Sequence, residues 1–169
     1  METNNIKIAY DPKFLSKEEI AKSDIDNSDI ELIEHSLNSN APKNNLILSI
    51  CLFLISSAAG GVIGNAAYDL LKIVKIAYRN FKQKHVFCVD SSNNKTPATA
   101  KIIINNRKDK IINLILKKEP TEIEWLNIND SIRHLKNDNY VVKLNENGRI
   151  NIWTNLEYAQ YRHDQQEKK

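Results

Sequence analysis

The sequence predicts an α+β protein in which a small acidic N-terminal arm precedes one long apolar, then amphipathic, helix and a C-terminal, mainly antiparallel sheet module with short helices. Three observations carry that prediction. Leu46 through Gly64 are nineteen consecutive uncharged residues rich in Leu and Ile, and nineteen residues of helix span about 28 Å, close to the thickness of a hydrocarbon core. From Ala67 onward apolar side chains recur at helical spacing opposite a basic stripe. Beyond residue 85, short alternating runs follow one another with turn signals between them.

A chain of 169 residues accommodates one modest core plus an accessory segment. The arm, residues 1–45, opens with Ile6-Lys7-Ile8-Ala9-Tyr10, a strand pattern stopped by Asp11-Pro12. Two S-x-x-E capping boxes follow, Ser16 to Glu19 and Ser28 to Glu31. In each, serine and glutamate would satisfy otherwise orphaned backbone N–H groups at a helix start. The second start leads into an Ile30, Ile33, Leu37 stripe, and residues 38–45 read as a polar linker broken by Pro42.

Residues 46–84 form the second unit, a transmembrane-like helix continuing into a basic amphipathic one. Ser56, Gly60 and Gly64 recur every four positions, which on a helix makes them a self-association face of the small-xxx-small kind. Alternatively, Gly60-Gly61 ends or kinks a buried helix. Ala67, Leu70, Leu71, Val74, Ala77, Tyr78 and Phe81 fall on one side of the next stretch, and Lys72, Lys75, Arg79 and Lys82 on another. Those four basic residues are candidates for lipid headgroups of an anionic membrane, their stems lying along the apolar boundary. A solvated helix face is the plainer alternative.

Charge is distributed in a step. Residues 1–45 hold nine acidic against five basic residues, 46–68 none, and 69–84 one against five, within a total of +3. Five basic residues follow the apolar run within twenty positions and only Lys43 precedes it within twenty, which favours a C-terminal side facing the cytoplasm. The expected location is therefore a bacterial inner membrane with the sheet module inside. A soluble cytoplasmic protein, with Leu46–Phe81 buried as a central helix, is the alternative.

The third unit, residues 86–163, should carry strands at Val86–Val89, Ala98–Asn105, Lys110–Leu116, Thr121–Ile128, Tyr140–Asn145 and Arg149–Thr154, with a short helix over Asp130–Lys136. Asn147-Gly148 is the best hairpin signal, because both residues tolerate positive φ. Period-two alternation puts Ile102, Ile104, Ile112, Leu114 and Leu116 on one core face. A helix over Asn155–Arg162 and a frayed tail, 164–169, close the chain.

Chemistry is sparse. Four glycines fit neither a dinucleotide fingerprint nor a P-loop. The acidic stretch from Asp24 resembles the start of a calcium loop but has Asp29 where glycine belongs and His35 where glutamate belongs. The four histidines and Cys51 and Cys88 show no metal-ligand spacing, and no nucleophile signature is present. Trp125 sits beside the acidic Glu122 and Glu124, which would repel phosphate and so suit it poorly to stacking nucleic-acid bases. The sequence thus predicts a non-enzyme with no catalytic, cofactor or metal residues and no nucleic-acid partner.

Residues 8–19 (Ile-Ala-Tyr-Asp-Pro-Lys-Phe-Leu-Ser-Lys-Glu-Glu) and 60–72 (Gly-Gly-Val-Ile-Gly-Asn-Ala-Ala-Tyr-Asp-Leu-Leu-Lys) resemble pieces of small uncharacterised bacterial proteins with a similar order of segments. The resemblance implies a bacterial origin and no activity. The functional expectation is a membrane-anchored interaction or regulatory protein, its helix self-associating and its C-terminal module binding a protein partner. The alternatives are a soluble α+β protein-interaction domain and a membrane-perturbing, toxin-like effector.

Overall fold

The computed structural model describes residues 6–23, 30–36, 49–57, 65–89, 92–106, 110–136 and 138–167. Thirteen elements follow in the order β1 (Ile6–Tyr10), α1 (Lys17–Lys22), β2 (Ile30–Glu34), β3 (Ser49–Ser57), α2 (Asn65–Gln83), β4 (Phe87–Val89), β5 (Lys95–Pro97), β6 (Thr99–Asn106), β7 (Ile111–Leu116), α3 (Glu122–His134), β8 (Tyr140–Leu144), β9 (Ile150–Thr154) and α4 (Asn155–Glu167). Seven strands make one sheet in the order β2-β1-β3-β6-β7-β8-β9, and β4 and β5 pair as a separate ribbon.

The expected spanning helix at Leu46–Gly64 is overturned. Ser49–Ser57 is a strand near the middle of the sheet, antiparallel to β1 and parallel to β6, and no helix among the described residues is long and apolar enough to cross a membrane. Leu52 and Ile55 are buried in the core and Leu54 is half-buried on the opposite face, so both sides of the strand carry apolar residues and the segment shows a continuous hydrophobic run that periodicity alone does not separate from a helix. With the helix go the transmembrane, single-pass assignment, the orientation drawn from the charge step, and the support for an inner-membrane location. Residues 58–64 lie outside the described ones.

The sheet is mixed, not mainly antiparallel. Parallel pairs β1/β2, β3/β6 and β7/β8 alternate with antiparallel pairs β1/β3, β6/β7 and β8/β9. Each parallel pair is bridged by one helix, α1, α2 or α3, the crossover that parallel strands require. Two further expectations are corrected. Ile30–Glu34 is strand β2, not the start of a helix, since its pairing with β1 from Ile6↔Ile30 to Tyr10↔Glu34 overrides the local stripe. Residues 24–29 and Leu37 lie outside the described residues. Thr121–Ile128 belongs to helix α3, not to a strand. There a Thr121/Glu124 capping box starts the helix, and Trp125, Ile128 and Ile132 bury one face at helical spacing.

Helix α2 takes the amphipathic form its spacing predicts, with Ala67, Leu70, Leu71, Val74, Ala77, Tyr78 and Phe81 all buried. It centres a layer on one sheet face. Phe81 packs edge-on against Phe14 at 5.6 Å, and Asn80 donates to the Phe14 carbonyl at 3.1 Å and to Glu19 at 2.9 Å. On the other flank the buried Trp125 indole donates to the Ala67 carbonyl at 2.9 Å. The Ser16/Glu19 box caps α1 as expected. The buried Lys110 ammonium donates to the carbonyls of Ile132 (2.7 Å) and Leu135 (2.9 Å), closing the end of α3. Beneath this layer Ile102, Ile104, Ile112, Leu114 and Leu116 are buried together, and β8 turns into β9 at Asn147-Gly148, with Gly148 at φ 81°.

Candidate functional site

Strand alternation gives the sheet a second face that takes no part in the helix-covered core. Pairing registers align Ile33, Ala9, Leu54, Ile103, Asn113, Val141 and Trp153 in one row across all seven strands. None of these residues belongs to the core beneath α1, α2 and α3. At the β8–β9 end the row is covered by α4, where Trp153 packs against Tyr158 (5.5 Å) and Tyr161 (5.1 Å). Burial raises the Tyr158 hydroxyl above its ordinary pKa, with Arg162 opposing and Tyr161 adding. From β2 to β7 no described helix lies over the row, and Ala9, Leu54 and Ile103 are half-buried while Ile33 is 41% exposed. Lys7 and Glu31 form an exposed ion pair of 3.1 Å on this face.

A polar groove lies where β7 and β8 end. An open depression of about 460 Å³ is lined by Lys117, Lys143, Asn145, Glu146 and Asn147. It shares Lys117 and Glu146 with a smaller one of about 140 Å³ that runs back to Tyr78, Lys82 and Thr99. Lys117 donates to the Thr99 hydroxyl at 3.0 Å. Burial, and next the Lys143 ammonium, lower the Lys117 pKa. Glu146 offsets part of this, and Lys82 adds to it. Burial raises the Tyr78 hydroxyl, helped by Glu119 and Glu146.

The residues singled out from sequence are dispersed. Ser56 is half-buried on β3, paired with Lys7 and Asn105, and so sits on no helix. Gly60 and Gly64 lie outside the described residues. On α2, Lys72 pairs with the buried Asp69 at 3.0 Å. Arg79 grips Glu119 through two hydrogen bonds of 2.8 and 2.6 Å, Lys75 is half-buried, and only Lys82 reaches the groove. Sequence reasoning missed Lys117 and Lys143, whose one signal is a position at or beside the end of an alternating strand. Among the described residues the closest grouping of metal-ligand types is His163, Asp164 and Glu167, all exposed on one turn of α4.

No family model, curated protein or solved structure matches the chain. The resemblance of residues 8–19 and 60–72 therefore brings no family with it, and function has to be argued from the surfaces themselves.

Proposed function

We propose that the chain is a protein-interaction domain built around a buried central helix, and that its partner is a second copy of itself, docked on the sheet face that α1, α2 and α3 leave open. One observation carries this: the row Ile33, Ala9, Leu54, Ile103 crosses four adjacent strands with apolar side chains that no described helix covers. Five open strands at about 4.8 Å spacing and about 20 Å length offer roughly 500 Å² per copy. The step formed by α4 adds to this, approaching the roughly 800 Å² per partner of a stable interface.

The shape of the face favours a two-fold partner. An axis through β3 sets α4 of one copy beside the β2 edge of the other, so that Leu156, 82% exposed, and Ile33, 41% exposed, cover each other twice. Two-fold contacts are self-complementary in this way. Sedimentation at about 100 µM protein is expected to give a dimer. Ile33→Glu, at an exposed position, should weaken it at least about tenfold while leaving the fold intact by circular dichroism. A wild-type monomer at that concentration, or a dimer indifferent to both Ile33→Glu and Leu156→Glu, would overturn the proposal.

A further inference from the structure

Three lysines line the two adjoining depressions at the ends of β7 and β8: Lys82 from α2 the smaller, Lys143 from β8 the larger, and Lys117, just past β7, both. Lys82 and Lys143 have neither a hydrogen bond nor an ion pair with any described residue, and Lys117 is held by the neutral Thr99 hydroxyl. The neighbouring carboxylates do not balance them. Glu119 is taken by the Arg79 guanidinium, and Glu124 by the Lys118 ammonium at 2.8 Å. Among the described residues that line the two depressions Glu146 is the one carboxylate, so three positive charges stand against one negative.

Such an arrangement is unfavourable when empty, since like charges held at the rim of a low-dielectric wall repel. We propose that this groove binds the phosphate group of a small phosphorylated ligand. A phosphate monoester carries about −1.5 to −2 charge near pH 7, which matches the surplus of two positive charges. Its oxygens are strong acceptors for ammonium donors, and the Asn147 side chain, whose Oδ1 accepts from the Arg149 N–H, lines the same depression. The larger depression, about 460 Å³, lies within the ordinary range for small-molecule sites. It leaves room for more than the phosphate, and the buried Tyr78 ring forms part of the adjoining wall. The lowered Lys117 pKa, set by burial and the Lys143 ammonium, fits the same picture, because a bound dianion would favour the charged ammonium.

The test is a titration of the full chain with inorganic phosphate, AMP and adenosine, followed through the backbone amides of Thr99, Lys117 and Asn145 by NMR. Saturable shifts are expected with phosphate and AMP, and none with adenosine. Tighter binding of AMP than of phosphate would show that the rest of the depression holds the organic part, and equal binding that the phosphate alone is held; either supports the site. Lys117→Met and Lys143→Met should each weaken binding at least about tenfold. Lys117→Arg should restore most of it, which a merely misfolded variant could not do. Lys75→Met, on α2 but outside the groove, should bind as wild type. Absence of saturable shifts with both phosphate and AMP, or equal weakening by Lys75→Met, would overturn the proposal.

Discussion

The two faces of the seven-stranded sheet are built from the same strands and differ at every alternate residue. On the helix side Ile8, Ile55, Ile102, Ile112 and Val142 are fully buried. One residue along, the other side carries Ala9, Leu54, Ile103, Asn113 and Val141, where apolar, polar and half-buried positions mix. Parity along each strand decides which residue meets the helices. The difference shows where this protein holds itself together and which face its described helices leave less covered. A bulge in β3 between Cys51 and Phe53 inverts the alternation within the strand, so that Leu52 and Ile55, three positions apart, are both fully buried in the core while Leu54 falls on the other face.

The sharpest way to break that comparison is to truncate neighbours. Ile102→Ala should cost about 2–5 kcal/mol, because it removes buried methyl groups and leaves a cavity beneath α2. Ile103→Ala should cost less than about 1 kcal/mol when measured on the monomer at low concentration. Urea denaturation reads both. Equal losses would mean that the face opposite the helices is as closely packed as the core.

A smaller effect joins the helix layer to the far hairpin. Gly148 has φ 81°, and a Cβ built on it would lie 2.5 Å from Glu124 Oε1. Gly148→Ala should therefore cost about 1–2 kcal/mol from backbone strain alone, and displacing Glu124 would also disturb the Thr121 cap and the Lys118 ion pair. Gly148→Ala in a Glu124→Gln background should cost no less, if strain in the turn is the main term. A much smaller cost would show instead that the contact with the charged carboxylate dominates.

Some of this was legible in the sequence. Helix α2 announces itself because its apolar residues repeat at helical spacing against lysines, and β6 and β7 because Ile102, Ile104, Ile112 and Leu114 alternate. The Asn147-Gly148 turn is written in its two residues. Strand β3 was not legible as a strand, since Leu52 and Ile55 on the core side and Leu54 on the other are all apolar and a bulge breaks what alternation is left, which leaves an unbroken apolar run, the same signal a membrane helix gives. The beginning of α3 misleads differently: Glu122-Ile123-Glu124-Trp125 alternates like a strand, yet Ile123 is exposed and Trp125 buried, and the Thr121/Glu124 box was the better guide. Lys82, Lys117 and Lys143 carry no shared spacing. They meet only because the topology ends β7 and β8 together beside α2, so no local pattern could have placed them in one groove.

The smallest expected effect concerns acid. Glu19 is held below its ordinary pKa of 4.5 first by the Asn80 amide and then, against burial, by Ser16 and Lys22. For Glu124 burial opposes ionisation, but the Lys118 and Thr121 hydrogen bonds outweigh it and the pKa is again lowered. A carboxylate whose pKa is lower folded than unfolded stabilises the fold fully above its unfolded value. That contribution is lost as pH falls through the folded value. Stability should thus be insensitive to these two groups near neutrality and decline below about pH 4.5, by about 0.3–1 kcal/mol for each helix start. Both groups lie in the helix layer, whereas the Lys7–Glu31 pair on the open face has side chains 56% and 48% exposed and should contribute almost nothing. Urea midpoints at about pH 7 and pH 3.5 can separate the two faces. The Glu19→Gln, Glu124→Gln double variant should flatten part of the acid decline, and Glu31→Gln should leave it unchanged. If Glu31→Gln flattens it as much as the double variant does, the acid-sensitive contacts are not confined to the helix layer, and the two faces share more of the stability than their burial implies.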